Sequence, residues 1–167
     1  RLKHQNFGIS SFDLIESLRN NGLIDTYKSK LDIPLNKLIV SIGYNGKKEQ
    51  QHLQIISELK KLKKSQLSKL FLIFPMTYAR DNNNYNLVLD AIINTGVEYK
   101  ILNKPLSIES ICKYRLISDI KVNMQTTDAF SASVQEYFFA KNIMILGEWL
   151  PYHWLEERGL YYIKSNF

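Results

Sequence analysis

The sequence predicts an α/β protein: a doubly wound, mostly parallel sheet of about six strands with helices on both faces. Three observations predict it. Apolar, β-branched runs of strand length alternate with stretches of helical periodicity. The runs are continuously apolar rather than alternating, as befits strands covered on both faces. The chain has 167 residues, 45% hydrophobic and 23% charged, enough for one domain with a sizeable core.

The elements follow in order. Two short helical stretches, Phe12–Arg19 and Ile24–Leu31, precede the first strand. Residues 1–36 therefore read as an N-terminal helical cap or a hinge segment from a missing domain, and residues 37–167 as the sheet domain. Strands are expected at Leu38–Ile42, Leu70–Phe74, Glu98–Leu102, Asp119–Met124, Asn142–Leu146 and Leu160–Lys164. Leu38–Ile42 should be central, with Asp119–Met124 parallel beside it. Between the strands, Leu53, Ile56, Leu59 and Leu62 recur at helical spacing. The stretch 85–95 is helical and closes at Gly96, a fitting residue just past a helix end. Ser107 is expected to cap the next helix, with Leu106 and Ile111 in the staple positions around it. Phe130, Val134, Tyr137 and Phe138 form the buried face of the helix after Asp119–Met124.

Charge and cysteine content narrow the classes. The net charge is +6, much of it in Lys60, Lys61, Lys63, Lys64 and Lys69. These lysines are expected on the solvent face of an amphipathic helix. No aromatics interleave with them, so a nucleic-acid partner is not expected. A peripheral contact with the inner face of a membrane is the accompanying expectation. The single Cys112 excludes an internal disulfide, fits a reducing compartment and reads as packing. Cytoplasmic location is expected, since no signal peptide is visible and no 18-residue apolar run occurs. The chain opens on Arg1 rather than Met, so an excised piece of a longer protein is expected.

The most informative stretch is Thr126-Thr127-Asp128-Ala129-Phe130-Ser131-Ala132-Ser133-Val134-Gln135-Glu136. A hydroxyl-rich helix start after a strand places backbone N–H groups and a positive dipole end at the sheet edge, an arrangement suited to phosphate. Glu136 lies about 12 Å further along, where its carboxylate could accept ribose hydroxyls. Ordinary capping by Ser, Thr or Asp is the competing explanation. In doubly wound sheets, ligands bind beyond the carboxyl ends of the strands. The loops to inspect are thus Gly43-Tyr44-Asn45-Gly46, Pro75-Met76-Thr77-Tyr78, Asn103-Lys104-Pro105, 125–131 and Glu148-Trp149-Leu150-Pro151-Tyr152. Neither a dinucleotide fingerprint, nor a P-loop, nor a nucleophile elbow occurs. No carboxylate or Cys/His spacing suggests a metal, so no metal and no cofactor are expected.

The blocks Ser41-Ile42-Gly43-Tyr44-Asn45-Gly46, Phe74-Pro75-Met76-Thr77-Tyr78, Thr127–Glu136 and Gly147-Glu148-Trp149-Leu150-Pro151-Tyr152 occur in this order. Together they resemble the C-terminal, donor-binding domain of a GT-B glycosyltransferase. The likeness is to bacterial enzymes of the 4-acetamido-4,6-dideoxygalactose (fucosaminyl) transferase type. It covers most of residues 38–162, and Phe7-Gly8-Ile9-Ser10 resembles the segment entering such a domain.

The resemblance implies one Rossmann-like half of a two-domain enzyme. That half would bind a nucleotide-sugar donor for cell-surface polysaccharide synthesis. Glu136 would bind the ribose. Thr127, Asp128, Ser131 and Ser133 would face the diphosphate and sugar, and Gly43, Tyr44, Asn45, Gly46 and Thr77 would lie nearby. The acceptor site and general base would belong to a missing N-terminal domain, so the catalytic residues are not assigned. Lys47, Lys48, Arg80 and Lys104 are all open as the basic residue facing the diphosphate. Position 128 is Asp where the Glu-x7-Glu retaining motif has Glu, which leaves the stereochemical outcome open. Two other readings stand beside it: a GT-B-like nucleotide-sugar epimerase, and a non-catalytic α/β interaction module.

Overall fold

A computed structural model describes residues 11–79 and 81–167. The Phe7–Ser10 segment and Arg80, both singled out from the sequence, lie outside them. Two helices, α1 (Ser11–Asn20) and α2 (Ile24–Lys30), lead into strand β1 (Leu38–Ile42). Then come α3 (His52–Leu59), α4 (Lys64–Leu67), β2 (Leu70–Pro75), α5 (Asn82–Ile93) and β3 (Glu98–Leu102). The second half runs α6 (Ile108–Ile117), β4 (Ile120–Asn123), α7 (Ala132–Phe139), β5 (Ile143–Gly147), α8 (Trp154–Glu157) and β6 (Ile163–Ser165).

The strands form one parallel sheet in the order β3-β2-β1-β4-β5-β6. This is the Rossmann order, with the direction of winding reversing between β1 and β4. β1 is central and pairs β4 with Val40 opposite Ile120 and Ile42 opposite Val122, as the sequence predicts.

Side-chain alternation along β1 assigns the two faces. Val40 and Ile42 point toward α3, α4 and α5, where they pack with Ile55, Ile56, Leu67, Phe74, Val88 and Ile92. Ile39 points the other way, into a cluster built from Ile15, Leu18 and Tyr27 of α1 and α2 and from Cys112, Tyr114 and Ile117 of α6. Cys112 is fully buried, and burial pushes its thiol pKa up, so it acts as packing. A third cluster joins α7 to β5 and α8 through Val134, Tyr137, Met144, Leu146 and Leu155. Each fully buried large aliphatic contributes roughly 1.5–3 kcal/mol relative to exposure.

Two expectations shift. The lysine run does not lie along a helix face: α3 ends at Leu59, and the lysines occupy the turn into α4. Consecutive solvated lysines carry no apolar stripe to hold the helix on the sheet, so packing ends where the stripe ends. The last strand begins at Ile163 rather than Leu160, because the chain first turns after α8 at Gly159. Ser107 caps α6 as expected, its hydroxyl accepting the Ser110 N–H at 3.2 Å.

Candidate functional site

The winding reversal opens at the carboxyl ends of β1 and β4, and three loops meet there. The first follows β1. Gly43 has φ +64, and an added Cβ would run into the His52 ring, so glycine is required. Its N–H donates to Val122 O at 3.0 Å. Tyr44 N donates to Gln50 Oε1 at 2.9 Å, and Asn45 Oδ1 accepts Lys47 N at 2.9 Å. Gly46 donates to Tyr78 O at 3.0 Å and accepts from Asn84 at 3.2 Å. Gly43, Asn45 and Gly46 are thus buried in a self-bonded loop, while half-buried Tyr44 turns toward the second loop. Burial, and then the Asp128 carboxylate, raises the Tyr44 phenol pKa.

The loop from β4 to α7 is organised by Asp128. Its Oδ1 accepts Ser131 N at 3.0 Å, and its Oδ2 accepts Ser131 Oγ at 3.0 Å and Asn123 Nδ2 at 3.1 Å. Phe130 takes φ +63 to make the turn. Ser131 stands at the N-cap of α7, but its hydroxyl serves Asp128 and makes no capping bond. The competing explanation, hydroxyls folded back onto the first-turn amides, does not describe Ser131. Those amides have no intrahelical partners by construction. Thr126 N donates to Glu49 O at 2.9 Å, and Thr127 is exposed.

Two cavities flank this loop. A narrow hollow of about 80 Å³ lies between the ends of β1, β2 and β3 and helices α6 and α7. It gathers Tyr44, Thr77, Leu102, Ile111, Arg115 and Ser133. The Ser133 hydroxyl is buried and has no hydrogen-bond partner among the described residues. A wider cleft of about 370 Å³ lies on the other side, lined by Thr126, Thr127, Asp128, Ala129, Trp149, Leu150 and Pro151. Trp149 Nε1 donates to Gln125 O at 2.9 Å, which holds the indole at the cleft wall.

Of the sequence-predicted residues, Tyr44, Thr77 and Ser133 meet in the hollow, and Thr127 and Asp128 meet in the cleft. Glu136 lies one turn deeper. It accepts the Ser11 hydroxyl at 2.6 Å and Arg115 Nε at 3.1 Å, with its side chain 13% exposed. Lys47, Lys48 and Lys104 are exposed, and Lys48 faces Asp81 at 3.6 Å.

Beneath the site lies a polar seam that sequence reasoning missed. Ser41 on β1 and Lys121 and Asn123 on β4 point to the same face and are fully buried. The Ser41 hydroxyl bonds the Tyr137 hydroxyl, and Arg115 Nη1 donates to that phenol at 2.9 Å. Arg115 also stacks 4.3 Å from the Tyr137 ring centroid. Burial lowers the Arg115 pKa, but Tyr137 and Glu136 outweigh it and leave the guanidinium firmly charged. Lys121 donates to the Gly43 carbonyl and lies 4.6 Å from the Tyr137 centroid. Burial first, and Arg115 next, drive its pKa well below that of an ordinary lysine, with Asp128 opposing. The available signal was the polar residues Ser41, Lys121 and Asn123 inside runs expected to be buried strands. Among the described residues no group of His, Cys, Asp and Glu could hold a metal ion.

No known family profile matches this chain, and no curated protein sequence matches it. Its structural likenesses include glycosyltransferases. It superposes on a glycosyltransferase from Rickettsia africae with a TM-score of 0.61 at 19% identity, over 82% of this chain and 36% of that one. For HepE from Anabaena, in complex with UDP-glucose, the TM-score is 0.63 at 14% identity, over 85% and 38%. The C-terminal domain of a group 1 glycosyl transferase from Francisella tularensis gives 0.59 at 16% identity, over 74% and 64%. The fold is therefore the Rossmann-like domain of GT-B glycosyltransferases. This chain spans a little over a third of the Rickettsia and Anabaena proteins.

Proposed function

We propose that this chain is the donor-binding domain of a bacterial glycosyltransferase of the fucosaminyl transferase type, acting in cell-surface polysaccharide synthesis in the cytoplasm. One observation carries the reading. The uncapped start of α7 lies at the reversal point of the sheet, between a narrow hollow and a wider cleft. The nucleoside end of the donor approaches the mouth of the hollow, where Tyr44, Leu102 and Ile111 supply apolar walls and Ser133 a free hydroxyl. The diphosphate then meets the first-turn amides of α7 and the Thr127 hydroxyl. The sugar extends into the cleft past Asp128 and Trp149. Arg115, already charged and lining the hollow, is the cation best placed to face the nucleotide. Glu136 reaches a ribose hydroxyl by exchanging its Ser11 contact for the ligand.

On departure, the nucleoside diphosphate is stabilised by the helix dipole, amides and hydroxyls rather than by a metal, a preorganised electrostatic contribution. Acceptor binding and the general base belong to a second domain. The Anabaena neighbour, seen with UDP-glucose, supports a nucleotide-sugar as the ligand class. The test is a thermal-shift screen of the chain with UDP, TDP, GDP and CMP, since a ligand of the native state raises its stability. One nucleoside diphosphate should raise Tm, with the shift unchanged in EDTA. No shift with any nucleotide would sink the reading and favour an interaction module. The same shift lost in EDTA would sink its metal-free part.

A further inference from the structure

The amino-terminal edge of the sheet lies opposite the donor site, and its surface carries an unusual combination of charge and aliphatic exposure. In a parallel sheet, helices end where strands begin, so the turn from α3 through α4 to β2 lies on this edge. Lys60, Lys61, Lys63, Lys64 and Lys69 are exposed there. Lys61 pairs with Glu58 at 2.6 Å. Among the described residues, Lys60, Lys63, Lys64 and Lys69 have no carboxylate within 4.0 Å. Aliphatic side chains stand among them. Leu62 is 37%, Leu38 40% and Ile93 55% exposed. The patch is continuous: Leu38 N donates to Lys69 O at 2.9 Å, and Lys64 shares an open hollow of about 660 Å³ with Leu67 and Ile93.

We propose that this edge docks on an anionic phospholipid surface. Unpaired ammonium groups attract the negative headgroups, each lysine near such a surface raising affinity roughly fivefold. The exposed leucines and isoleucine then enter the headgroup boundary, as apolar residues flanking lysines do in interfacial anchors. A nucleic acid would use the charge but not the aliphatics. The turn from Lys60 to Lys69 contains no aromatic on which a base could stack. Docking by this edge leaves the carboxyl edge, and any site there, facing water.

The test is vesicle flotation of the whole chain with phosphatidylcholine alone and with phosphatidylcholine mixed with phosphatidylglycerol. The protein should float only with the mixed vesicles and release at high salt. The triple variant Lys60→Glu, Lys63→Glu, Lys64→Glu should lose at least about a hundredfold in affinity. Its circular dichroism and Tm should not change, because these side chains are solvated and unpaired. Leu62→Ser with Ile93→Ser should weaken vesicle binding severalfold while keeping its salt dependence. Equal flotation with both vesicles, no flotation, or full binding by the triple variant would overturn the proposal. So would unchanged binding by the Leu62→Ser, Ile93→Ser protein, or tighter binding to a single-stranded RNA than to vesicles at the same salt.

Discussion

Acidification should destabilise this protein through one histidine. His52 opens α3 with 2% of its surface exposed, its ring edge-on to Phe74 at 5.8 Å. Burial first, and the nearby Lys121 amine second, push its pKa from 6.5 to about 4, while the Ile42 carbonyl opposes them. The sign follows from proton counting. Between pH 6.5 and about 4 the unfolded chain protonates this imidazole and the folded chain does not. Stability is therefore full above 6.5 and falls as pH drops toward 4. At about 1.4 kcal/mol per tenfold change, the whole window costs about 3 kcal/mol. That is a large part of an ordinary domain's stability, about 5–15 kcal/mol. Urea denaturation of the wild type and of His52→Gln at several pH values measures it. The stability difference between the two should narrow by about 3 kcal/mol on going from neutral pH to about 4. Replacing Lys121 by Met should raise the His52 pKa, since the amine is its second cause. A difference independent of pH, or an NMR titration of His52 near 6.5, would refute the reasoning.

Three further outcomes follow from the site. The structure pairs Glu136 with buried Arg115. Removing the carboxylate strands that charge and should cost about 3–5 kcal/mol, measured by urea denaturation; Glu136→Gln, which keeps an acceptor for Arg115, is the better probe of ribose binding by calorimetry. Thr127→Ala should leave Tm unchanged, because Thr127 is exposed, and should weaken a nucleoside diphosphate far more than the nucleoside; equal loss for both would remove Thr127 from the diphosphate site. Gly43→Ala meets both a positive φ and the His52 ring, and should destabilise by about 1–3 kcal/mol or more in the same assay.

The order of strands and helices was legible because each element announces itself locally. Runs such as Leu38–Ile42, apolar but for Ser41, and Leu70–Phe74, apolar throughout, have the continuous hydrophobicity that parallel strands buried on both faces require. The hydroxyl-rich stretch before Glu136 was legible as a helix start for the same reason. What the sequence left open is whatever depends on neighbours far along the chain. Glu136 reads as an acceptor for ribose hydroxyls, with no partner in the protein, until α6 brings Arg115 against it and Ser11 arrives from α1. Lys121 reads as a charge within a strand, without a partner, until β1 and β4 pair and Tyr137 closes over both it and Ser41. By itself, the sequence determined the elements and their parallel pairing, because periodicity and turn chemistry act over a few residues. Only the tertiary structure decided which polar groups are paired and which are left open. Burial and hydrogen bonding are set by residues up to 125 positions apart, as Ser11 and Glu136 are.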